Sequence, residues 1–108
     1  MKYTTEDFID DVDMLQFENN NEMAYYLGKA DGYRLATDMA YKIEDIAVLE
    51  DCLYSHRQHL IQDREDLNYK DNWVEEERRF ISGELDATDE VRDLLLAKKG
   101  GYNENHNA

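Results

Sequence analysis

At 108 residues the chain suits a single domain. A formal net charge of −14, from 26 acidic and 12 basic side chains, disfavours direct contact with nucleic-acid phosphates or an anionic membrane surface. The lone Cys52 excludes an intrachain disulfide, and no apolar run approaches the roughly 20 residues of a membrane span. Residues 1–7 lack the apolar stretch of a secretory signal, so the expected location is cytoplasmic.

Helix is the expected state throughout. Eight tyrosines supply anchors that disordered chains lack. There is no proline, and from Tyr33 to Ser82 there is no glycine either. A β-rich domain marks a turn every ~8–12 residues, often with one of these two.

Thr5 reads as the N-cap of a first helix, with Glu6 and Asp7 in a first turn that favours negative charge. Phe8, Val12 and Leu15 give it an apolar face, which Ile9 widens. Glu18-Asn19-Asn20-Asn21 ends it, with Asn21 available to cap the next helix.

From Glu22 a long helix is expected. Met39, Ile46, Leu53, Leu60 and Leu67 fall seven apart, and Ala36 and Ile43 take the companion heptad position. That position then passes to Glu50, Arg57 and Arg64, which a dry two-stranded seam would not favour. Ala40, Ala47, Tyr54 and Ile61 broaden the face, as in a bundle helix. Gly28 and Gly32 mark a break or a close helix contact. An unbroken helix from Tyr33 to Leu67 would be on the order of 50 Å long, against a compact radius of gyration of about 13 Å for such a chain. The molecule would then be elongated, kinked near residues 55–58, or completed by a second copy.

Asn68-Tyr69-Lys70-Asp71-Asn72 reads as a turn. Trp73, Val74, Phe80 and Ile81 mark a third helix, with Glu75 placed to pair with Arg79 and Gly83 as its C-cap. Thr88-Asp89-Glu90 starts a fourth, with Val91, Leu94 and Leu95 inward and Lys98-Lys99-Gly100 closing it. Residues 1–100 are thus expected to form one acidic helical domain, and 101–108 a flexible polar tail. The fold class is all-α: an elongated helical bundle or long α-hairpin of about four helices. A homodimer through Met39, Ile43, Ile46, Leu53 and Leu60 would cover its longest helix.

Chemistry-bearing patterns are sparse. Cys52, His56 and His59 share one side of a helix, with Asp63 following, and such ligands could grip zinc. A second helix would have to complete the set, and His106 lies in the polar tail, so metal binding is a remote alternative. Cys52 and His56 sit mid-helix with no Gly-rich turn or oxyanion donor beside them. No P-loop, dinucleotide or metalloprotease motif is present, and Glu90 with Asp93 forms only one acidic pair. No catalytic residue, cofactor or metal is therefore expected.

The acidic first helix is more informative. Glu6, Asp7, Asp10, Asp11, Asp13 and Glu18 face only Lys2 in the first twenty residues. Several stand three or four apart, about 5–6 Å along one face, a spacing comparable with neighbouring phosphates. Such a ridge fits a basic groove meant for DNA or RNA; a solvated face that aids solubility is the plainer reading. Tyr25, Tyr26, Tyr33, Tyr41 and Tyr54 suit an interface or a bundle edge equally. In size, charge and helicity, though in no motif, the chain is similar to small acidic proteins that bacteriophages and other mobile elements turn against host nucleic-acid enzymes. That resemblance implies a non-enzymatic inhibitor or modulator binding a basic nucleic-acid-handling protein by nucleic-acid mimicry, anti-CRISPR or anti-restriction in kind. The alternative is a structural or assembly protein that self-associates through the long helix.

Overall fold

The structure, a computed structural model, describes residues 2–19, 21–67 and 74–107, the last eight by backbone alone. The expected turn at 68–72 and Trp73 lie outside the described residues. The fold is all-α: α1 (Thr5–Glu18), α2 (Ala24–Lys42), α3 (Ile46–Glu65) and α4 (Val74–Asn107). α2 and α4 make the most extensive pairing, α1 lies against α2, and α3 against α4. The molecule measures 55 × 26 × 25 Å with a radius of gyration of 15.2 Å, so it is elongated.

Local chemistry explains the boundaries. Thr4, one residue before the expected Thr5, is the N-cap of α1; its hydroxyl accepts from Asp7 N at 3.2 Å, and Asp7 Oδ2 accepts from Thr4 N at 3.0 Å. This reciprocal box satisfies two donors that a helix start leaves orphaned. Asn21 accepts from Met23 N at 2.9 Å just before α2, whose own N-cap, Met23, offers no side-chain bond.

The expected helix from Tyr33 to Leu67 is divided in two. Ile43 leaves α2 in an extended conformation, and Asp45 caps α3, accepting from Ala47 N at 2.8 Å and Val48 N at 3.2 Å. The division thus falls at residues 43–45, not near 55–58. The chain turns here with neither Gly nor Pro because a β-branched residue tolerates extended backbone and an aspartate replaces the lost helical bonds.

The opposite correction applies to α4. Gly83 is not a C-cap and Thr88-Asp89-Glu90 starts no new helix; α4 runs unbroken through both and on past Gly100. Gly83 lies inside the helix because a Cβ there would run into the Tyr25 carbonyl of α2. Gly28 of α2 faces the Phe80 carbonyl of α4 in the same way, and a Cβ on Gly32 would stand 2.8 Å from that of Ala87. The glycine pair in α2 therefore marks a close helix contact, and the helices approach almost backbone to backbone.

Two apolar clusters follow the long axis. One gathers Phe8, Ile9 and Val12 of α1 with Tyr33, Ala36, Leu49, Leu53, Val91 and Leu95. A smaller one joins Leu60, Ile81 and Leu85, with Ile61 and Leu67 against it. The residues expected to need a second copy are taken up within one chain: Leu53 and Leu60 are buried, and Met39, Ile43 and Ile46 pack on the larger cluster. The homodimer argument loses both its 50 Å helix and its uncovered apolar face.

Candidate functional site

The six acids singled out on α1 divide by environment. Asp7 is committed to the capping box, and half-buried Asp11 accepts from the Tyr3 hydroxyl at 2.7 Å. Glu6, Asp10, Asp13 and Glu18 are exposed. Phe8, Ile9 and Val12 turn inward, so Glu6, Asp10 and Asp13, at steps of four and three, share the outward face. Among the described residues, no ion pair involves an α1 carboxylate.

The acids of α4 are used differently. Asp86 accepts from the Tyr25 hydroxyl, Asp89 pairs with Arg57 at 2.5 Å, and Glu90 accepts from the Tyr33 hydroxyl at 2.6 Å with Lys29 at 3.4 Å. These contacts tie α2 and α3 to α4. Asp86 raises the Tyr25 pKa by accepting a hydrogen bond from its hydroxyl, and burial followed by the Glu90 bond raises that of Tyr33, so both hydroxyls stay protonated donors. Glu90 is engaged in this latch and does not stand ready with Asp93 for a cation. Arg57 and Arg64, which take the heptad position that a dry seam would not favour, reach α4, Arg64 through Ser82 Oγ at 3.3 Å. Glu75 pairs with Arg78 at 3.8 Å, not with Arg79.

A further polar cluster joins α2 to α4. Glu84 of α4, only 8% exposed, hydrogen-bonds with Asp31 of α2. Burial first, then that bond and the charges of Asp31, Glu77 and Asp63, raises the Glu84 pKa to about 8, so Glu84 keeps its proton near neutrality. Arg34 meets Asp31 at 2.5 Å, and Thr88 Oγ1 donates to the Glu84 carbonyl at 2.7 Å. Nothing in the sequence pattern marks this pair, which lies 53 positions apart in the chain (84 less 31).

Cys52, His56 and His59 line a shallow groove of about 350 Å³ with Met39, Val48, Asp51 and Ser55. His56 is half-buried, and its Nε2 finds no hydrogen-bond partner among the described residues. Burial, with His59 beside it, lowers the His56 pKa against a smaller opposite pull from Asp31 and Asp63. Among the described residues, no three His, Cys, Asp or Glu side chains converge as metal ligands would. A second cleft of about 680 Å³ separates Lys2, Tyr3 and Thr4 from residues 44–47 and Lys99, with charges of both signs on its walls.

Four of the tyrosines noted above divide by role as well. Tyr25 and Tyr33 are latches to α4; Tyr41 is exposed, and the exposed Tyr54 ring carries Arg92 over its face at 5.2 Å. Among the described residues no helix is long and apolar enough to cross a membrane. No known protein family, curated protein or solved structure matches the chain.

Proposed function

We propose that the protein is a non-enzymatic inhibitor or modulator that binds a basic, nucleic-acid-handling protein through the outward face of α1. One observation carries the reading: Glu6, Asp10 and Asp13 are exposed on one face, without ion pairs among the described residues. The like charges mildly oppose the helix that bears them, at roughly 0.2–0.5 kcal/mol per pair. Asp86, Asp89 and Glu90 of α4, by contrast, are taken up by contacts with α2 and α3. Carboxylates about 5–6 Å apart along a helix present charge at a spacing that a phosphate-binding groove accepts. Phage or mobile-element origin and action in a host cytoplasm belong to this proposal and rest on likeness of size and charge alone.

Affinity capture from the host's cytosol, followed by identification of the bound proteins, tests the reading. The expected captive is a basic nucleic-acid-binding protein whose retention falls with salt and is lost in Asp10→Lys/Asp13→Lys. Capture that is indifferent to both salt and charge reversal rules mimicry out, because exposed charge pairing must be screened.

A further inference from the structure

We propose that the apolar end of the same face, Met14 and Phe17 of α1 with Met23 and Tyr26 across the hairpin, docks a basic amphipathic helix of a partner protein. The proposal rests on the acidic-face reading and adds an apolar anchor to it.

Phe17 is 83% exposed, Met23 65% and Met14 62%. A lone exposed apolar side chain is ordinary, but several at one end of a bundle mark an interaction surface. Asp10, Asp13, Met14 and Phe17 stand at i, i+3, i+4 and i+7, so the acids and the apolar pair form one stripe, turned away from Phe8 and Val12. One contact brings the start of α2 to this end. Asn19 Nδ2 donates to the Tyr26 carbonyl at 2.8 Å, closing the hairpin. Tyr25, held to Asp86, meets Tyr26 edge-on at 5.1 Å and leaves the Tyr26 ring at the surface.

Charge selects the occupant. From Tyr3 to Gly28 there are seven acids and no lysine or arginine, and Asp10, Asp13, Glu18 and Glu22 are exposed around the apolar side chains. A second copy would bring like charges together, and an anionic lipid surface would be repelled. A helix with a row of apolar residues flanked by lysines or arginines matches both parts of the stripe. Methionine suits such a surface because its flexible thioether adapts to different anchors.

The test uses the full chain and a labelled synthetic helix of leucine and lysine, roughly five turns long, with leucine at helical spacing. A scrambled peptide of equal composition is the control, and fluorescence anisotropy is the readout. The ordered peptide should bind more tightly than the scrambled one. Phe17→Ser should weaken it about tenfold, the loss expected for one buried aromatic anchor, with the circular dichroism spectrum unchanged. Asp10→Lys/Asp13→Lys should weaken it further and flatten its salt dependence. Equal binding of the two peptides, or affinity indifferent to Phe17→Ser but still sensitive to charge reversal, overturns the docking site and leaves the acidic-face reading standing. Binding that needs Phe17 but ignores charge reversal overturns the acidic-face reading and, with it, the basic partner. A dimer in light scattering that Phe17→Ser dissociates, or Phe17-dependent binding to phosphatidylcholine vesicles without peptide binding, assigns the surface to another occupant and overturns the proposal.

Discussion

The seam between α2 and α4 and the outward face of α1 spend the same residue types in opposite ways. At the seam, glycines let backbones meet, and carboxylates are bonded to tyrosines, cations or each other. On α1, carboxylates and large apolar side chains stand in solvent, with no ion pair among the described residues. Acidity alone therefore does not identify a binding surface in this protein. Asp86, Asp89 and Glu90 of α4 are engaged by the fold, whereas Glu6, Asp10 and Asp13 of α1 are not.

The sharpest attempt to break this contrast is Leu53→Glu, which puts a carboxylate into the larger apolar cluster, where Leu53 is fully buried. Loss of the leucine contacts alone costs about 2–5 kcal/mol, and the buried charge adds to it. The chain should unfold as a monomer, with lost helicity and no dimer dissociation in light scattering. A folded variant with reduced mass would restore self-association through α3.

Next is the seam itself. Gly83→Ala and Gly28→Ala each drive a Cβ into a backbone carbonyl of the facing helix, which cannot move aside as a side chain can. Overpacking of this kind costs about 1–3 kcal/mol, partly offset by alanine's better helix propensity of up to about 1 kcal/mol. A lowered urea midpoint with an unchanged slope is the expected result. Gly32→Ala, which meets a methyl group first, should cost less.

A subtler probe is pH. In the unfolded chain Glu84 ionises at its ordinary value, while in the fold its pKa is raised to about 8. The folded state therefore holds the extra proton between those values. Its stabilising contribution is full below the unfolded pKa and is lost as pH rises through about 8. The melting temperature should fall by about 5 °C or more between mildly acidic and mildly alkaline buffer, given typical melting entropies for a domain of this size. Glu84→Gln keeps a donor for Asp31 without the titration and should flatten that fall.

The smallest effect is expected on α1. Asp10→Lys and Asp13→Lys should leave the melting temperature within a few degrees, and Asp10→Lys relieves a like-charge pair with Glu6. Asp7→Lys should cost about 1 kcal/mol, because it opens the capping box. Asp7, and Asp11 with its Tyr3 bond, are thus poorer probes of binding than the sequence pattern suggests.

The helical class and the inward face of α1 were legible in the sequence. Each follows from local propensity and from a periodicity written in consecutive residues: Phe8, Val12 and Leu15, or the long stretch without Gly or Pro. Met14 and Phe17 fall off that apolar face, but their exposure in the fold is what marks them as a surface. Tertiary structure decided where α2 ends and α4 does not. The sevenfold spacing of Met39 and Ile46 runs straight across a capped turn, and Gly83 reads as a helix stop until α2 lies against it. It also decided which acids are free, because an aspartate's partner, whether Tyr25 for Asp86 or Arg57 for Asp89, comes from another helix. Local signals record what a segment prefers in isolation. The approach of another backbone, and the proton that buried Glu84 keeps, exist only once the helices are packed.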